Sequence, residues 1–371
     1  MLVSLEWTSI RMTKRFITTA VFGTLMVGHA LMGGNVQAEP VKQNNWRFFA
    51  DLHADLRSDL DPKSTQDASD TSADAGVLYH RDLTRAKLLG EAFVSDDEGE
   101  IKRLQLGWVF SDEQTLWLGR FYNPVGYWNV HYHHGGYIAP AMHRPSLVEY
   151  EDKGGILPMH TTGALLEGTM ALAEHTLGYQ FAVGEGPELN DKGKLEAADI
   201  VNMGATEHDR SLTARVSLMQ GGASAMETGV FVNRTIIPAK LAGISEIEQK
   251  LFGAFFYANW SPLEAIWSLY TVTNTVKQAG SEQQGSFSGG YVRLGYSINK
   301  LWTAYIRMED VQRAGDDPYL SLFPNFVIDR NLAGLRLNFR KNQSLSFELL
   351  QSKLNEGSHM HTSVQWSAMF N

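Results

Sequence analysis

The chain has 371 residues, a formal net charge of -9 at pH 7 and no cysteine. The absence of cysteine excludes disulfides, thiolate metal sites and a cysteine nucleophile, and the acidic balance argues against nucleic acid as a partner. Beyond the N-terminal region no segment has about 18 consecutive apolar residues, so a transmembrane helix is not expected.

Residues 1–38 have the pattern of a secretory signal peptide. Lys14 and Arg15 supply its positive charge, and residues 16–32 supply its apolar stretch. An uncleaved membrane anchor is the alternative. Cleavage would remove three of the 32 basic and one of the 41 acidic residues, so the mature chain, residues 39–371, would carry a net charge of -11.

Alternation of apolar and polar residues is the main signal in the mature chain. Near the C-terminus, Val292, Leu294 and Tyr296 alternate with Arg293 and Gly295. A period of two places alternate side chains on opposite faces of a sheet, and an outer-membrane barrel exposes one face to lipid and the other to a wet lumen. The fifteen strand-like segments are 45–58, 84–95, 100–110, 115–122, 163–172, 176–185, 210–219, 226–236, 248–259, 263–276, 286–298, 301–312, 331–340, 344–354 and 360–370.

The links between these segments alternate in length. Short links such as 299–300 and 341–343 are typical of periplasmic turns. Longer links such as 186–209 and 313–330 are rich in Gly, Asp, Ser and Pro, which is typical of extracellular loops. Counting backward from Phe370 therefore predicts which end of each strand faces the periplasm.

The number of strands is predicted to be sixteen, with fourteen as the alternative. Bacterial single-chain barrels have an even number, so one strand is missing from the fifteen. It is expected within 45–99 or around 195–206. Residues 59–78 are rich in Asp, Ser, Thr and Ala and are interpreted as a mobile loop.

The longest irregular segment is 123–162. A structureless connection of this length is uncommon in a compact fold and is usually functional. Its five aromatic residues and four prolines argue against a floppy loop. We expect it to pack against the inside wall of the barrel.

Residues 119–129, with the sequence GRFYNPVGYWN, resemble a strand-to-loop pattern of porin-like barrels, including some near the phosphate-selective porins. Together with the signal peptide and the alternating strands, the chain resembles a Gram-negative outer-membrane porin. Porins often end on Phe, whereas here Asn371 follows Phe370. The resemblance implies an all-β, transmembrane antiparallel β-barrel in the outer membrane, with the long loop folded into the lumen.

In the porins that the chain resembles, carboxylates on the lumen loop face basic residues on the wall. Opposed charges across a narrow aqueous gap create a transverse field that sets ion preference. The alternative is that each arginine pairs with a neighbouring lumen carboxylate such as Glu309 or Glu348. The matching candidates for a constriction are Glu149, Glu151 and Asp152 on the loop and Arg293, Arg307, Arg336 and Arg340 on the wall.

A cluster of histidines in the same loop suggests a metal site. His131, His133, His134 and His143 lie within thirteen residues, and imidazoles bind zinc, copper or nickel. Their spacing matches no metal motif. The alternative is that they bond backbone carbonyls and pack with the loop tyrosines.

No catalytic motif is present: the sequence contains neither G-x-S-x-G nor a phosphate-binding G-x-x-x-x-G-K-[ST]. His53 lies between Asp51 and Asp55 on one strand face, which we interpret as a polar strip facing the lumen. The function expected is a cofactor-free, non-enzymatic, passive channel for small polar or ionic solutes, surrounded by outer-membrane lipid. A homotrimer, common among sixteen-stranded porins, is compatible with this. The alternative function is a metal-binding or metal-importing barrel that uses the histidine-rich loop.

Overall fold

A computed structural model describes residues 45–59, 68–96, 99–132, 135–200, 207–221, 225–354 and 357–371. The predicted signal peptide at residues 1–38 lies outside these ranges, as do His133 and His134. Across the described ranges, no helix has the length and apolarity needed to span a membrane.

Sixteen antiparallel strands form a closed barrel, in which β1 pairs with the last strand, β18. Sequential strands are neighbours throughout, except that β7 pairs with β10 because β8 and β9 form a separate two-residue hairpin. The strands are β1 (Trp46–Asp59), β2 (Ala68–Asp82), β3 (Ala86–Val94), β4 (Gly99–Ser111), β5 (Gln114–Tyr122), β6 (His160–Leu172), β7 (His175–Glu185), β8 (Glu188–Leu189), β9 (Leu195–Glu196), β10 (Arg210–Gln220), β11 (Ala225–Pro238), β12 (Ile244–Trp260), β13 (Leu263–Gln278), β14 (Ser281–Ser297), β15 (Trp302–Gln312), β16 (Val327–Arg340), β17 (Gln343–Leu354) and β18 (Gly357–Phe370).

The outer surface of the barrel is apolar, and polar and charged side chains face inward, as the alternation predicts, although the inner faces of β11 to β17 also carry buried apolar residues. On β14, Val292 and Leu294 are 48% and 46% exposed, whereas Arg293 between them is 2% exposed. The antiparallel sixteen-strand barrel is therefore confirmed, and the fourteen-strand alternative is wrong.

The strand missing from the sequence interpretation is β2, within the first of the two regions proposed for it. The prediction of a mobile loop over 59–78 is wrong from Ala68 onward. Both faces of this part of β2 carry small or polar residues: Ser69 and Thr71 lie outward beside β1, while Asp70 and Ser72 lie inward. No alternation is visible in the sequence there, and pairing with β1 and β3 builds the strand.

A β-bulge in β4 interrupts the period of two. Glu91 pairs with Arg103 and the next residue of β3 pairs with Ile101, which leaves Lys102 as the extra residue. Bulges re-aim side chains in this way. Consecutive basic side chains, Lys102 and Arg103, are therefore both directed into the barrel, where Lys102 is 1% exposed.

Gly119 in β5 marks a second irregularity, just before the long loop. Its φ of 126° lies in a region that side chains rarely adopt, and a Cβ there would lie 2.0 Å from the carbonyl oxygen of Leu104. Beyond this residue Arg120, Phe121 and Tyr122 are all buried rather than alternately exposed. The chain thus turns inward at Gly119.

Candidate functional site

The described residues of the long loop between β5 and β6, 123–132 and 135–159, lie inside the barrel. They contain a short α-helix, α1 (Trp128–His131), and two 3-10 helices, Ser146–Val148 and Glu151–Lys153. Trp128 is fully buried and its ring lies 6.1 Å from that of Tyr291, edge to face. Tyr127 stacks on Tyr257 at 4.8 Å. The loop and the inner faces of β11 to β17 form one apolar cluster, so the loop packs on the wall as we expected.

Arg307 on β15 holds the loop through two of its backbone carbonyls. Its guanidinium donates to the carbonyl oxygens of His143 at 2.6 Å and Arg144 at 3.2 Å. Its Nε donates to Glu309 at 2.9 Å, and Glu309 also accepts the backbone N–H of Ser146 at 2.6 Å. A fully buried cation is thus satisfied by one carboxylate and by the loop backbone.

Arg293 on β14 and Arg336 on β16, the strands on either side of β15, also bind carbonyl oxygens of the loop. Arg293 donates to the carbonyl oxygen of Pro140 at 2.7 Å and also pairs with Glu264. Arg336 donates to the carbonyl oxygens of Ala139, at 2.8 Å, and Tyr137. Three arginines on adjacent strands of the wall therefore bind neighbouring parts of one loop.

Glu348 on β17 supplies the matching acceptor. It accepts the backbone N–H of Met142 at 2.7 Å and the hydroxyl of Tyr305 at 2.8 Å. Its other oxygen lies 2.6 Å from Nδ1 of His143. Since Glu348 is 2% exposed, these contacts replace the water that a buried carboxylate would otherwise need.

Glu151 joins the two ends of the loop. Its carboxylate accepts the backbone N–H groups of Met159 at 2.7 Å and His160 at 2.9 Å, and lies 2.7 Å from the His160 ring. Burial raises the pKa of Glu151 in spite of these bonds. This residue stabilises the base of the loop rather than facing solute.

Asp152 binds the loop to the other side of the barrel. Lys102 on β4 donates to its carboxylate at 3.0 Å. Burial by itself would raise the pKa of Asp152, but the charge and hydrogen bond of Lys102 lower it to about 2. Glu149 accepts the backbone N–H of Tyr150 at 3.1 Å, and burial raises its pKa.

The predicted arrangement of loop carboxylates facing wall arginines across water does not hold at Glu151, Arg293 and Arg307. Glu151, Arg293 and Arg307 are buried, with at most 2% exposed. The arginines bind loop carbonyls because the loop presses directly on the wall and leaves no gap there. Arg340 is exposed at the last residue of β16, roughly 13 Å along the strand from Arg336.

The structure separates the loop histidines that we placed in one metal site. His131 pairs with Glu227 of β11 at 2.9 Å, whereas His143 pairs with Glu348 of β17. These strands are six positions apart in the barrel. The two histidines therefore do not share a ligand set.

The side of the lumen formed by β1 and β2 is more open. His53 and Asp55 on β1 keep 18% and 25% of their side-chain surface exposed, whereas Tyr270 on the covered side keeps 1%. Asp74 of β2 is half-buried and lies near other ionisable groups: Asp51 and His53 of β1, Asp96 and the exposed loop residue Lys153. The polar strip predicted at His53 thus lies beside the space that the loop leaves.

Asp74, Lys102 and Lys153 were not among the predicted site residues. Asp74 lies on the strand that shows no alternation, and Lys102 is the extra residue of a bulge. The spacing of Asp70 and Asp74, which are four residues apart and so share one face of a strand, is the signal in the sequence that could have pointed to Asp74. It indicates a polar face only once the segment is known to be a strand.

A closed sixteen-strand barrel with an apolar outer band, a polar lumen and an inward-folded loop has the fold of porin-like outer-membrane channels. It places the chain in the outer membrane, as predicted.

Solved structures show the same fold. OmpF of Salmonella typhi, in a complex with daunomycin, matches with a TM-score of 0.56 at 12% identity, over 88% of this chain and 97% of that one. The outer-membrane channel DcaP of Acinetobacter baumannii matches with a TM-score of 0.55 at 12% identity, over 88% and 96%. OmpT, an outer-membrane protein of Vibrio cholerae, matches with a TM-score of 0.52 at 12% identity, over 90% of this chain and 100% of that one. Neither a protein-family model nor a curated protein matches the chain.

We predict that Arg307→Met destabilises the barrel far more than Arg340→Met. The first removes the buried cation that pairs with Glu309 and leaves the His143 carbonyl without its donor, although Arg330 still donates to the Arg144 carbonyl at 3.1 Å; the expected cost is about 3–5 kcal/mol. The second alters an exposed strand end and costs less than about 0.5 kcal/mol. Urea unfolding in lipid vesicles, followed by tryptophan fluorescence, measures both. Equal losses in the two variants would contradict the assignment of Arg307 as a loop anchor.

The Lys102–Asp152 pair predicts a dependence on pH. The pKa of Asp152 in the folded chain lies below its ordinary value of 3.8, so the stabilisation is present above about pH 4 and is lost as the pH falls toward 2. At pH 7 the free energy of unfolding of the native protein should be roughly 2 kcal/mol higher than that of the Asp152→Asn variant. Urea titrations at several pH values should show this difference shrinking only below pH 4; a loss already at pH 6 would refute the pairing.

Proposed function

We propose that the chain is a passive diffusion channel for small polar or ionic solutes. The observation that supports this most is the uneven position of the loop. It is buried against β11 to β17 and reaches β1 at Asp51, which accepts the backbone N–H of Gly136 at 3.1 Å. By contrast, His53 and Asp55 of β1 and Asp74 of β2 remain partly exposed. A sixteen-strand barrel is wide enough for an aqueous channel, and a loop on one wall narrows that channel.

Passage through such an opening requires no catalysis and no cofactor, and the proposal assigns none. A wet, polar lining replaces part of the hydration shell of the solute. On the open side Asp55 and Asp74 supply negative charge, and Lys153 supplies a positive charge from the loop. The acidic excess favours small cations over anions.

Asp74→Asn should therefore lower the preference for cations, because it removes a charge from the proposed path. Asp310→Asn is the control, since Asp310 is exposed on the outward-facing parity of β15. Reversal potentials in planar bilayers under a KCl gradient measure the preference. The expected result is a shift toward zero for the first variant and none for the second. Absence of any conductance from the native barrel would refute the channel itself.

We further propose that the channel is a homotrimer. The outward face of β2 and β3 has many small residues, and β1 adds Ala50 and Ala54 on either side of Leu52, which is 54% exposed. In comparison, β13 to β15 carry Leu269, Leu294, Ile306 and Met308, all at least 45% exposed. A flatter alanine face allows close contact between barrels. The small outward residues are Ala50 and Ala54 of β1, Ala73 and Ala75 of β2, and Ala86, Gly90 and Ala92 of β3.

Ala75→Trp should reduce the trimer fraction, because a large ring at the centre of this face prevents close approach. Ala333→Trp, at an exposed outward position of β16, should leave it unchanged. Size-exclusion chromatography with light scattering in a mild detergent measures the mass of the complex. A native protein that is monomeric under these conditions would rule out the trimer.

A further inference from the structure

We propose that His53, Asp55 and His143 form a binding site for a divalent transition metal of the zinc type, which joins the loop to β1. One ligand atom from each of the three lies within 4.8 Å of the other two. This is the one group of three metal-ligating side chains found within the part of the chain that the structure describes. It is not the loop-histidine set suggested by the sequence, because two of its members come from the wall.

The two wall ligands share a face because they are two residues apart on β1. Nε2 of His53 is hydrogen-bonded to Asp55, and a metal would take the place of the hydrogen that joins them. The other oxygen of Asp55 accepts from the hydroxyl of Ser363 on the neighbouring strand β18. The carboxylate is thereby oriented before any metal binds.

His143 reaches the same point from the loop. Its ring centre lies 5.8 Å from that of His53, edge to face. Nδ1 of His143 lies 2.6 Å from Glu348, so Nε2 is the nitrogen that can bind a metal. A carboxylate on the far nitrogen is the usual partner of a metal-binding histidine, because it fixes the ring and raises its basicity.

The position of His143 is set by its backbone as well as by its ring. Its carbonyl oxygen accepts from Arg307 at 2.6 Å, and the preceding residue, Met142, donates to Glu348 at 2.7 Å. The loop ligand is therefore held by buried groups of β15 and β17. Such preorganisation lowers the entropic cost of binding, because the ligands need not be collected from mobile positions.

The site is open to solution in the lumen. The side chains of His53, Asp55 and His143 are 18%, 25% and 23% exposed. Two imidazoles and one carboxylate suit zinc, copper or nickel, and three protein ligands leave a fourth position for water. A bound ion would add positive charge on the side of the lumen that carries Asp74.

Zinc titration of the full-length barrel in detergent micelles, followed by isothermal calorimetry, tests the site directly. The expected result is one zinc ion per chain. His53→Ala and His143→Ala should each weaken binding by more than about 100-fold, since losing a ligand exceeds the roughly 10–100-fold effect of an outer partner. His143→Gln, which keeps a hydrogen-bonding side chain for Glu348, separates loss of the ligand from disturbance of the loop and should weaken zinc equally.

His131→Ala is the matched control, because His131 lies in the same loop but pairs with Glu227. Its zinc affinity should equal that of the native protein. A native barrel that binds no zinc would overturn the site, as would binding that survives His53→Ala and His143→Ala but is lost in His131→Ala or in His133→Ala/His134→Ala. Calorimetry requires no open channel, so this result is independent of whether the barrel conducts.

Discussion

The closure of the sheet between β1 and β18 is the constraint on which the rest of the structure depends. Lipid offers no hydrogen bonds, so every backbone N–H and C=O at membrane depth must be paired within the protein. From Phe48 opposite Phe370 to Asp59 opposite His359, the two end strands complete that pairing. Once the barrel is closed, each residue faces either lipid or lumen. The apolar band, the polar interior and the position of the loop all follow from that division.

The interior carries many charges that would be costly if they were isolated, and the loop satisfies several of them. Arg293 and Arg307 each combine one carboxylate with loop carbonyls, and Glu348 combines loop N–H groups with Tyr305 and His143. The loop backbone thus acts as a set of hydrogen-bond partners for buried wall charges. Because these partners lie on β14 to β17, the loop is held closest to that side, although Lys102 of β4 and Asp51 of β1 also bind it. His53 and Asp55 of β1 and Asp74 of β2 stay partly accessible.

The sequence-based predictions were wrong or incomplete where contacts between residues far apart in the chain override the pattern of neighbouring residues. The sequence predicts a loop at β2 because Ser69 and Thr71 occupy outward positions at which lipid-facing strands are usually apolar. Lys102 was not recognised because a bulge, which depends on the pairing of β3 with β4, aims it inward. His143 was grouped with its neighbours in sequence, whereas its partners, His53 and Glu348, are about 90 and 205 residues away in the chain. Spacing along a loop carries no information about such contacts.

The sequence alone determined the architecture: the period of two and the alternation of short and long links define an outer-membrane barrel, because those features are local or nearly so. It predicted sixteen strands with fourteen as the alternative, and the structure decided between them. It also placed Arg293, Arg307 and Arg336 on the inner face correctly. Only the tertiary structure decided what they do there. Whether an inward arginine faces water or a loop carbonyl depends on where a loop more than 130 residues earlier comes to rest, and that is set by packing across the lumen rather than by any pattern along the strand.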